Sequence, residues 1–287
     1  MLKGSPHGTA YERRMIVLKK SLWIGLFVLV LAFSLSLTAA AQSTVHMRIA
    51  SSDNPYINVG QERIPYITYA QLRVFANVAS ELSNGRITVE VYGSGVLGDD
   101  RTVIEQMQAG IIQGVTTNDG VLNNWYPPIQ VFSLPFVIDN ELVAYDVLDG
   151  PFGQKMVEDM AASAGLRLIT LGCNSGFRMF ANNVRPLITP SDFAGLKIRT
   201  QQIPAQMELV LGQGANPTAV AWSDVYTALQ TGVVDGAELP VVASLNQNLQ
   251  EVIKYITLAK HLYGPVFLVV SEDWYQSLDA ELQTAIR

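Results

Sequence analysis

Two short runs decide the fold of this chain: GFRMFAN at residues 176–182 and LKIRT at residues 196–200. Each run is mostly apolar and contains one arginine, Arg178 in the first and Arg199 in the second. Because successive side chains of a strand take opposite faces, this pattern is typical of two strands. Arg178 then shares a face with Phe180, and both guanidinium groups lie among apolar side chains.

The segment between the two runs is typical of a single helical turn. Thr189 has the side chain of an N-cap, and Pro190 stands at the first helical position, where proline is favoured. Gly195 is placed to end the turn, because the residue just past a helix often has a left-handed backbone that suits glycine. The sequence therefore predicts a strand, a helical turn and a strand, with one guanidinium on each strand.

Two interpretations are open for Arg178 and Arg199. A guanidinium among apolar side chains is costly unless it meets an anion, and a carboxylate accepts two parallel hydrogen bonds from it. The anion is either an internal Asp or Glu or the carboxylate of a ligand. Since most buried charges are paired within the protein, composition alone favours the internal partner for either arginine taken singly.

The N-terminal region has the three parts of a secretory signal peptide. An apolar run from Leu22 to Leu37 is followed by small residues at 38–41, and we expect cleavage after Ala41. The run is somewhat short for the alternative, a membrane anchor. The basic residues that precede it are Arg13, Arg14, Lys19 and Lys20. The sequence thus predicts a signal peptide at 1–41 and an exported protein.

Charge and cysteine content exclude several classes of protein. Removal of residues 1–41 leaves 14 basic and 24 acidic residues, a net charge of −10. Such a surface does not suit nucleic acid or an anionic membrane, so we expect no nucleic-acid partner. Cys173 is the one cysteine of the sequence, which rules out an internal disulfide. Its place at the end of a buried-looking strand favours a small core residue over a nucleophile.

The rest of the chain alternates strand and helix patterns, which predicts an α/β fold. The predicted strands are residues 45–52, 86–92, 111–117 and 166–171, together with an apolar strand-and-turn segment at 132–139. The predicted helices are residues 64–82, 99–108, 151–164, 203–211 and 224–231, the last with Ser223 as its N-cap. The glycines at 93–98 do not make a phosphate loop, because the lysine and hydroxyl residue of that motif are missing.

A faint internal repeat indicates two similar halves. QAGIIQGV at 108–115 resembles QTGVVDGA at 230–237, and each copy is a helix end, a glycine stop and a strand. We expect a loop after each copy, at Asn118-Asp119 and at 238–240. Because ligands of open α/β sheets bind beyond the carboxyl ends of the strands, the two loops are expected to face a shared cleft.

Short motifs along the whole predicted mature chain resemble one protein family. They are LGDDR at 97–101, EQMQAG at 105–110, LPF at 134–136, GFR at 176–178, DFAGLKIR at 192–199, VYTALQTG at 225–232 and VDG at 234–236. Their order resembles that of the solute-binding proteins of tripartite ATP-independent periplasmic (TRAP) transporters, of the DctP type.

The resemblance implies a periplasmic-binding-protein fold, in which two α/β lobes are joined by a hinge and close on a ligand. Lobe I would comprise residues 42–175 and 266–287, and lobe II residues 176–265. The resemblance also implies a periplasmic location, a small organic acid as the ligand, and delivery to the permease subunits of a TRAP transporter driven by an ion gradient. It implies no enzymatic activity and no cofactor. The family allows a bound cation near Glu238, but nothing in this sequence indicates one, and we expect no metal.

The second lobe supplies most of the ligand contacts that the resemblance implies. Arg199 would pair with the ligand carboxylate, Arg178 would assist, and Trp222 would wall the pocket. Glu238 stands where the family commonly has this residue, and the next position often carries a polar ligand contact. Here that position is Leu239, which argues against a heavily hydroxylated ligand such as a sialic acid.

Three contacts are implied from the first lobe, at Ser52, Asp100 and Asn118. Their alternative role is to cap helices or to hydrogen bond within loops. Trp222 has an alternative role as well, since a tryptophan just before a helix is often part of the core.

Two other functions stay open at this point. A binding protein of this kind can report to a sensor instead of a permease. A secreted enzyme with a cleft between two lobes is the other alternative, but neither His46 nor His261 has a metal-ligand spacing around it. Such an enzyme would have to use paired carboxylates, for example Glu238 with Asp119.

The last residues, 273–287, begin an amphipathic helix that relatives continue across the second lobe. The chain either lacks those closing helices or is a fragment, and we expect a fragment.

Overall fold

The structure, a computed structural model, describes residues 44–287, except for the side chains of Leu171, Cys173, Asn174 and Ser175. The predicted signal peptide at 1–41 and the interpretation of the Cys173 side chain lie outside this described part. Residues 45–287 form one unit, and the site lies within it.

Strands and helices alternate along the described chain, as the sequence predicts. The strands are β1 (Val45–Ser51), β2 (Tyr56–Val59), β3 (Glu62–Pro65), β4 (Ile87–Tyr92), β5 (Gly114–Asn118), β6 (Leu166–Asn182), β7 (Lys197–Thr200), β8 (Asn216–Ala219), β9 (Gly236–Pro240), β10 (Tyr255–Thr257) and β11 (Tyr263–Ser271). The α-helices are α1 (Ile67–Leu82), α2 (Asp100–Gln108), α3 (Asp119–Leu122), α4 (Glu141–Asp149), α5 (Pro151–Ala164), α6 (Pro204–Gly212), α7 (Val225–Gln230), α8 (Val241–Asn246), α9 (Glu272–Ser277) and α10 (Ala280–Ile286). Short 3-10 helices span Pro127–Ser133, Pro190–Phe193, Trp222–Asp224 and Leu249–Glu251.

Nine of the described strands share one sheet, in the order β4-β1-β5-β11-β6-β9-β7-β8, with β10 also paired to β6. Strands β4, β1 and β5 are parallel to one another, and so are β9, β7 and β8. The antiparallel strands β11 and β6 join these two parallel groups. The sheet therefore has two parallel halves. The first half contains β4, β1 and β5, the second half contains β9, β7 and β8, and each has its own carboxyl ends where a ligand can bind.

Strand β6 belongs to both halves. Its first part pairs with β11, and residues 178–182 pair with β9. The sequence predicts two separate strands here, one at 166–171 and one around Arg178, but the structure has a single strand from Leu166 to Asn182. The strand continues because its second part finds a partner that is distant in the sequence.

Helices cover both faces of the sheet. Strand β11 is buried along its whole length, and its side chains alternate between two cores. Phe267 and Val269 pack with residues of α2 and α5, whereas Leu268 and Val270 pack with residues of α1 and α10. In the other half, successive side chains of β6 pack in the same alternating way with α7 and α6. The sequence of a strand that is buried on both faces is a nearly continuous apolar run, as it is in β11.

The predicted unit around the two arginines is confirmed. A 3-10 helix at Pro190–Phe193 joins β6 to β7, with proline at its first position. The backbone N–H of Thr189 donates to the carboxylate of Asp192 at 2.7 Å, which closes one half of a capping box. Gly195 ends the turn with φ 76°, a value that glycine adopts without a steric penalty.

Other local predictions are wrong. Residues 132–139 contain no strand, because the chain from Pro127 to Ser133 winds into a 3-10 helix. Ser223 is not an N-cap: it lies inside the 3-10 helix Trp222–Asp224, and α7 begins at Val225. The loops expected after the two repeat copies are both absent. Asn118 is the last residue of β5 and Asp119 the first of α3, and residues 238–240 are part of strand β9, where they pair with β6.

Within the described residues, no helix combines the length and the apolar character that a membrane crossing requires. The predicted lobe boundaries, at 175/176 and 265/266, fall inside β6 and β11. They stay a prediction.

Candidate functional site

A cavity of about 160 Å³ lies where the carboxyl ends of both parallel groups of strands meet. Eight residues were predicted as ligand contacts, and seven of them line this cavity: Ser52, Asp100, Asn118, Arg178, Arg199, Trp222 and Leu239. The eighth, Glu238, is not among the lining residues. The fold therefore brings together side chains that are widely separated in the sequence, from the loop after β1, from α2, from β5, β6, β7 and β9, and from the 3-10 helix at Trp222.

Arg178 has an internal partner. Its Nε donates to Glu238 Oε1 at 2.5 Å and its Nη2 to Oε2 at 2.6 Å, so the ion pair is bidentate. Glu238 is fully buried and also lies 3.1 Å from Nε2 of His261. Burial would raise the pKa of Glu238, but the charge of Arg178 and the hydrogen bonds from His261 and Arg178 lower it to about 2. The internal-partner interpretation therefore describes Arg178, whose guanidinium also lines the cavity.

Arg199 is different, because no Asp or Glu among the described residues lies within ion-pair distance of it. The side chain is 3% exposed, and its Nε donates to the backbone oxygen of Val220 at 3.0 Å. Burial and the nearby charge of Arg178 lower the pKa of Arg199 to about 9, so the guanidinium is still charged at neutral pH. A buried cation without a carboxylate, facing a cavity, has the chemistry to bind an anion.

The ring of Trp222 contacts two charged groups of the cavity, Arg199 at its face and Asp53 at its edge. The guanidinium carbon of Arg199 lies 5.6 Å from the centre of the Trp222 ring, close enough for a cation–π interaction. At the edge of the same ring, Nε1 donates to Oδ1 of Asp53 at 3.0 Å. The ring is also packed against the core of the second half, so the core and wall interpretations of Trp222 both describe it.

Asp53 is a cavity residue that the sequence analysis missed. It lies in the polar run SSDNP just after β1, and nothing in that run distinguishes it from an ordinary loop aspartate. In the structure it is buried, and burial raises its pKa to about 6. Its contact with Trp222, 169 residues further along the chain, is what places it in the site.

Asp100 is the second buried carboxyl of the cavity. The neighbouring Asp99 caps α2 by accepting from the backbone N–H of Thr102 at 2.9 Å, which leaves Asp100 free to point away from the cap. Its Oδ2 accepts from the hydroxyl of Thr117 on β5 at 2.8 Å. Burial raises the pKa of Asp100 to about 7, and the negative charge of Asp53 adds to this shift.

The remaining predicted contacts combine structural and lining roles. Asn118 lines the cavity and also caps α3, since its Oδ1 accepts from the backbone N–H of Val121 at 3.3 Å. Leu239 is buried in the core of the second half and contributes apolar surface to the cavity. Ser52, half-buried, lines the opposite side.

Hydrogen bonds outside the cavity join the two halves. The loop after β1 meets the end of α8: Asn54 N donates to Asn246 Oδ1 at 3.1 Å, and Asn246 Nδ2 donates to Asn54 O at 2.7 Å. In a second link, the hydroxyl of Ser133 donates to the carboxylate of Asp119 and accepts from the side-chain amide of Gln206 on α6. Burial raises the pKa of Asp119 to about 6.

The carboxyl pair considered for an enzyme is not at the cavity surface, since neither Asp119 nor Glu238 lines it. Across residues 44–287, no group of three or more His, Cys, Asp or Glu side chains is arranged to hold a metal ion.

Comparison with known proteins places the chain in a family. The profile of the bacterial extracellular solute-binding proteins, family 7 (DctP), matches residues 63–287. A solute-binding protein of Verminephrobacter eiseniae is 31% identical over 248 residues, covering 86% of this chain and 70% of the relative. The C4-dicarboxylate-binding periplasmic protein DctP of Rhodobacter capsulatus is 32% identical over 216 residues, 74% of this chain and 63% of the relative. The chain thus spans about two thirds of the length of these relatives.

A solved structure of a related protein has a similar fold. The sugar acid binding protein DctPAm from Advenella mimigardefordensis, in complex with galactonate, matches with a TM-score of 0.76 and 30% identity, over 85% of this chain and 75% of that chain. The predicted α/β, two-lobed fold is therefore confirmed. On the profile match and on these identities, the chain belongs to family 7 of the bacterial extracellular solute-binding proteins, the solute-binding proteins of TRAP transporters.

Proposed function

We propose that this protein captures a small organic acid in the periplasm and delivers it to the membrane permease of a TRAP transporter driven by an ion gradient. The observation that carries the proposal is the buried guanidinium of Arg199, which faces the cavity without a carboxylate partner among residues 44–287. A ligand carboxylate supplies the missing anion. The relatives support this class of ligand, since one is named for C4-dicarboxylates and a structural neighbour contains galactonate.

The other lining residues have distinct roles in this proposal. Glu238 fixes the guanidinium of Arg178 without contacting the ligand, and Arg178 adds positive charge beside Arg199. Trp222 and Leu239 give the ligand apolar surface. The polar contacts of the first half, Ser52, Asp100 and Asn118, bind the end of the ligand that is remote from its carboxylate.

Closure of the two lobes makes the binding tight. When water is excluded, the attraction between Arg199 and the carboxylate is stronger, because it is less screened. We place the hinge in β6 and β11, the strands that contain both predicted lobe boundaries. A ligand that touches both halves favours the closed state over the open one.

We propose binding without turnover. Asp119 is hydrogen bonded to Ser133 and Glu238 to Arg178, so both carboxyl groups are engaged within the protein and away from the cavity. A general acid or base has to reach the bound molecule, which neither of them does.

A ligand screen with two arginine variants tests the proposal. Thermal unfolding of the exported chain is followed with small organic acids and with their neutral amides. A ligand at 100 times its dissociation constant stabilises the fold by about 2.7 kcal/mol. We expect a shift with an acid, no shift with its amide, and loss of the shift in Arg199→Ala. Arg199→Lys should also bind poorly, because lysine cannot form two parallel hydrogen bonds.

The matched control is Arg73→Ala, which removes the same charge from an exposed arginine on α1 that does not line the cavity. It should keep the affinity. A folded Arg199→Ala protein that binds the acid as tightly as the Arg73→Ala protein would overturn the assignment of Arg199.

A further inference from the structure

The cavity has a second charged wall, formed by Asp53 and Asp100. Both carboxyl groups line the cavity and are buried, with 9% and 7% of their surface exposed. Asp53 accepts from the indole nitrogen of Trp222 and Asp100 from the hydroxyl of Thr117, both neutral donors. Within residues 44–287, no Lys, Arg or His lies within ion-pair distance of either carboxyl group. The cavity therefore holds an unpaired cation, Arg199, and two acids without a cationic partner.

We propose that the ligand carries an N–H-bearing cationic nitrogen, an ammonium or amidinium group, as well as its carboxylate, and binds as a zwitterion. The carboxylate lies at Arg199 and the cationic group at Asp53 and Asp100, with Trp222 between the two ends. This inference rests on the proposed function, since it takes the carboxylate at Arg199 as given.

Charge favours a cation over a second anion at this wall. The charges of Arg178 and Glu238 cancel within their ion pair, so Arg199 is left with one carboxylate to bind. A dicarboxylate would place its second anion against two buried acids, which is repulsive whenever these acids are ionised. A hydroxyl group donates a single hydrogen bond and carries no charge, whereas an ammonium group has three donors and a full positive charge. The cation therefore compensates more of the cost of burying the two carboxyl groups.

The raised pKa values of the two acids are those expected of a site that binds a cation. Burial raises the pKa of Asp53 to about 6 and that of Asp100 to about 7, so without a cation beside them the two carboxyl groups are partly protonated near neutral pH. A bound cation favours the ionised carboxylates and displaces those protons. The other charged groups around the cavity are Asp99 and Arg101 on α2, with Arg178 and Arg199 across from them.

The volume of the cavity suits a small ligand. Its volume of about 160 Å³ is close to the roughly 150 Å³ cavity that accommodates a benzene ring. A ligand of about six to eight non-hydrogen atoms fits, which is the size of a short amino acid.

Titration calorimetry with matched ligands tests the inference on the full chain. The probes are β-alanine, γ-aminobutyrate and δ-aminovalerate, each compared with the hydroxy acid and the dicarboxylate of the same number of carbons. We expect at least one amino acid to bind tenfold or more tightly than both of its counterparts. Its binding should release protons near pH 6.5, measured as a dependence of the heat on the ionisation enthalpy of the buffer, and its affinity should rise from pH 5.5 to pH 7.5.

Two variants test whether Asp53 and Asp100 cause the preference for an amino acid over a hydroxy acid. Asp53→Asn and Asp100→Asn should each lower the ratio of amino-acid to hydroxy-acid affinity by tenfold or more while hydroxy-acid affinity is kept or improved. Asp159→Asn is the matched control, since Asp159 is an exposed carboxylate on α5 that does not line the cavity, and it should keep the ratio. An asparagine variant that loses both ligands equally would overturn the inference.

The outcomes separate this inference from the proposed function. Hydroxy acids or dicarboxylates that bind as tightly as the amino acids, with binding lost in Arg199→Ala, would overturn the zwitterion and leave the carboxylate site standing. Binding of the acids that survives Arg199→Ala would overturn both. No binding by any of these probes, in a protein whose melting temperature shifts with another organic acid, would overturn the zwitterion alone.

Discussion

Two arginines that look alike in the sequence, Arg178 and Arg199, have different environments because of strand register. Arg178 stands opposite Pro240 on β9, so the carboxylate of Glu238, two residues earlier on that strand, is within its reach. Arg199 stands opposite Ala237, which has no acceptor in its side chain. Both arginines can be predicted from the sequence, but which of them is paired cannot, because the pairing depends on the alignment of strands 60 residues apart.

Glu238→Gln should destabilise the fold strongly. The change leaves the buried charge of Arg178 without its partner, and breaking a buried ion pair in this way typically costs about 3 to 5 kcal/mol. Equilibrium unfolding in urea measures the loss. Glu281→Gln is the control, because Glu281 pairs with Arg86 from a half-exposed position, and its effect should be small. Equal effects of the two changes would contradict the prediction.

The buried acids of the site should make the stability of the ligand-free protein fall as the pH rises. The pKa of Asp100 is raised from 3.8 to about 7 and that of Asp53 to about 6. A raised pKa in the folded state stabilises the protein below the unfolded value, and this stabilisation is lost as the pH rises through the folded value. The melting temperature should therefore decline between about pH 4 and pH 7.

Asp100→Asn should reduce this decline, since the side chain that contributes most no longer titrates. Asp159→Asn, an exposed carboxylate on α5, should leave the decline unchanged. Below about pH 4 the trend reverses, because Glu238 has a pKa lowered to about 2 and its stabilisation is lost as the pH falls toward that value. A melting temperature that is flat from pH 4 to pH 7 would refute the assignment of buried, uncompensated acids.

At the scale of elements, the sequence predicts best what is encoded locally. Helix α5 begins with Pro151 and ends before Gly165, which has φ 66°, and both bounds follow from the sequence. Helix α2 has its cap in Asp99 and its stop near Gly110 in the same way. The hairpin of β2 and β3 and the full length of β6 could not be predicted, because their apolar patterns are short or their partners lie far away in the chain.

The link between the loop after β1 and helix α8 should control ligand release. Asn246→Ala removes two hydrogen bonds to Asn54 that we expect to hold the halves closed. At about 1 kcal/mol for each bond, the dissociation constant should rise by at least about tenfold. Stopped-flow measurements should place the change in the dissociation rate. Asn216→Ala, whose side chain bonds only within the second half, should behave as the unchanged protein does.

At the scale of the whole molecule, the site exists because two parallel groups of strands present their carboxyl ends to one cavity. The internal repeat predicts this arrangement, since Gly110 and Gly232 both end a helix with φ 73° and a strand follows each of them. The order of the strands is not predictable in this way. Strands β11 and β6, which join the halves, belong to neither copy of the repeat, and Asp53 reaches the site only through a contact with Trp222.

Hydrogen exchange should show that the ligand stabilises both halves at once. The cavity is lined by the end of β5 from one half and by the 3-10 helix at Trp222 from the other, so a ligand that bridges them slows the local opening of both segments. With a saturating acid, backbone amides of residues 116–122 and of 220–226 should exchange at least tenfold more slowly. The Arg199→Ala protein with the same acid is the control and should have unchanged rates. Protection confined to 220–226 would mean that the acid binds to one half alone and that closure contributes nothing to its affinity.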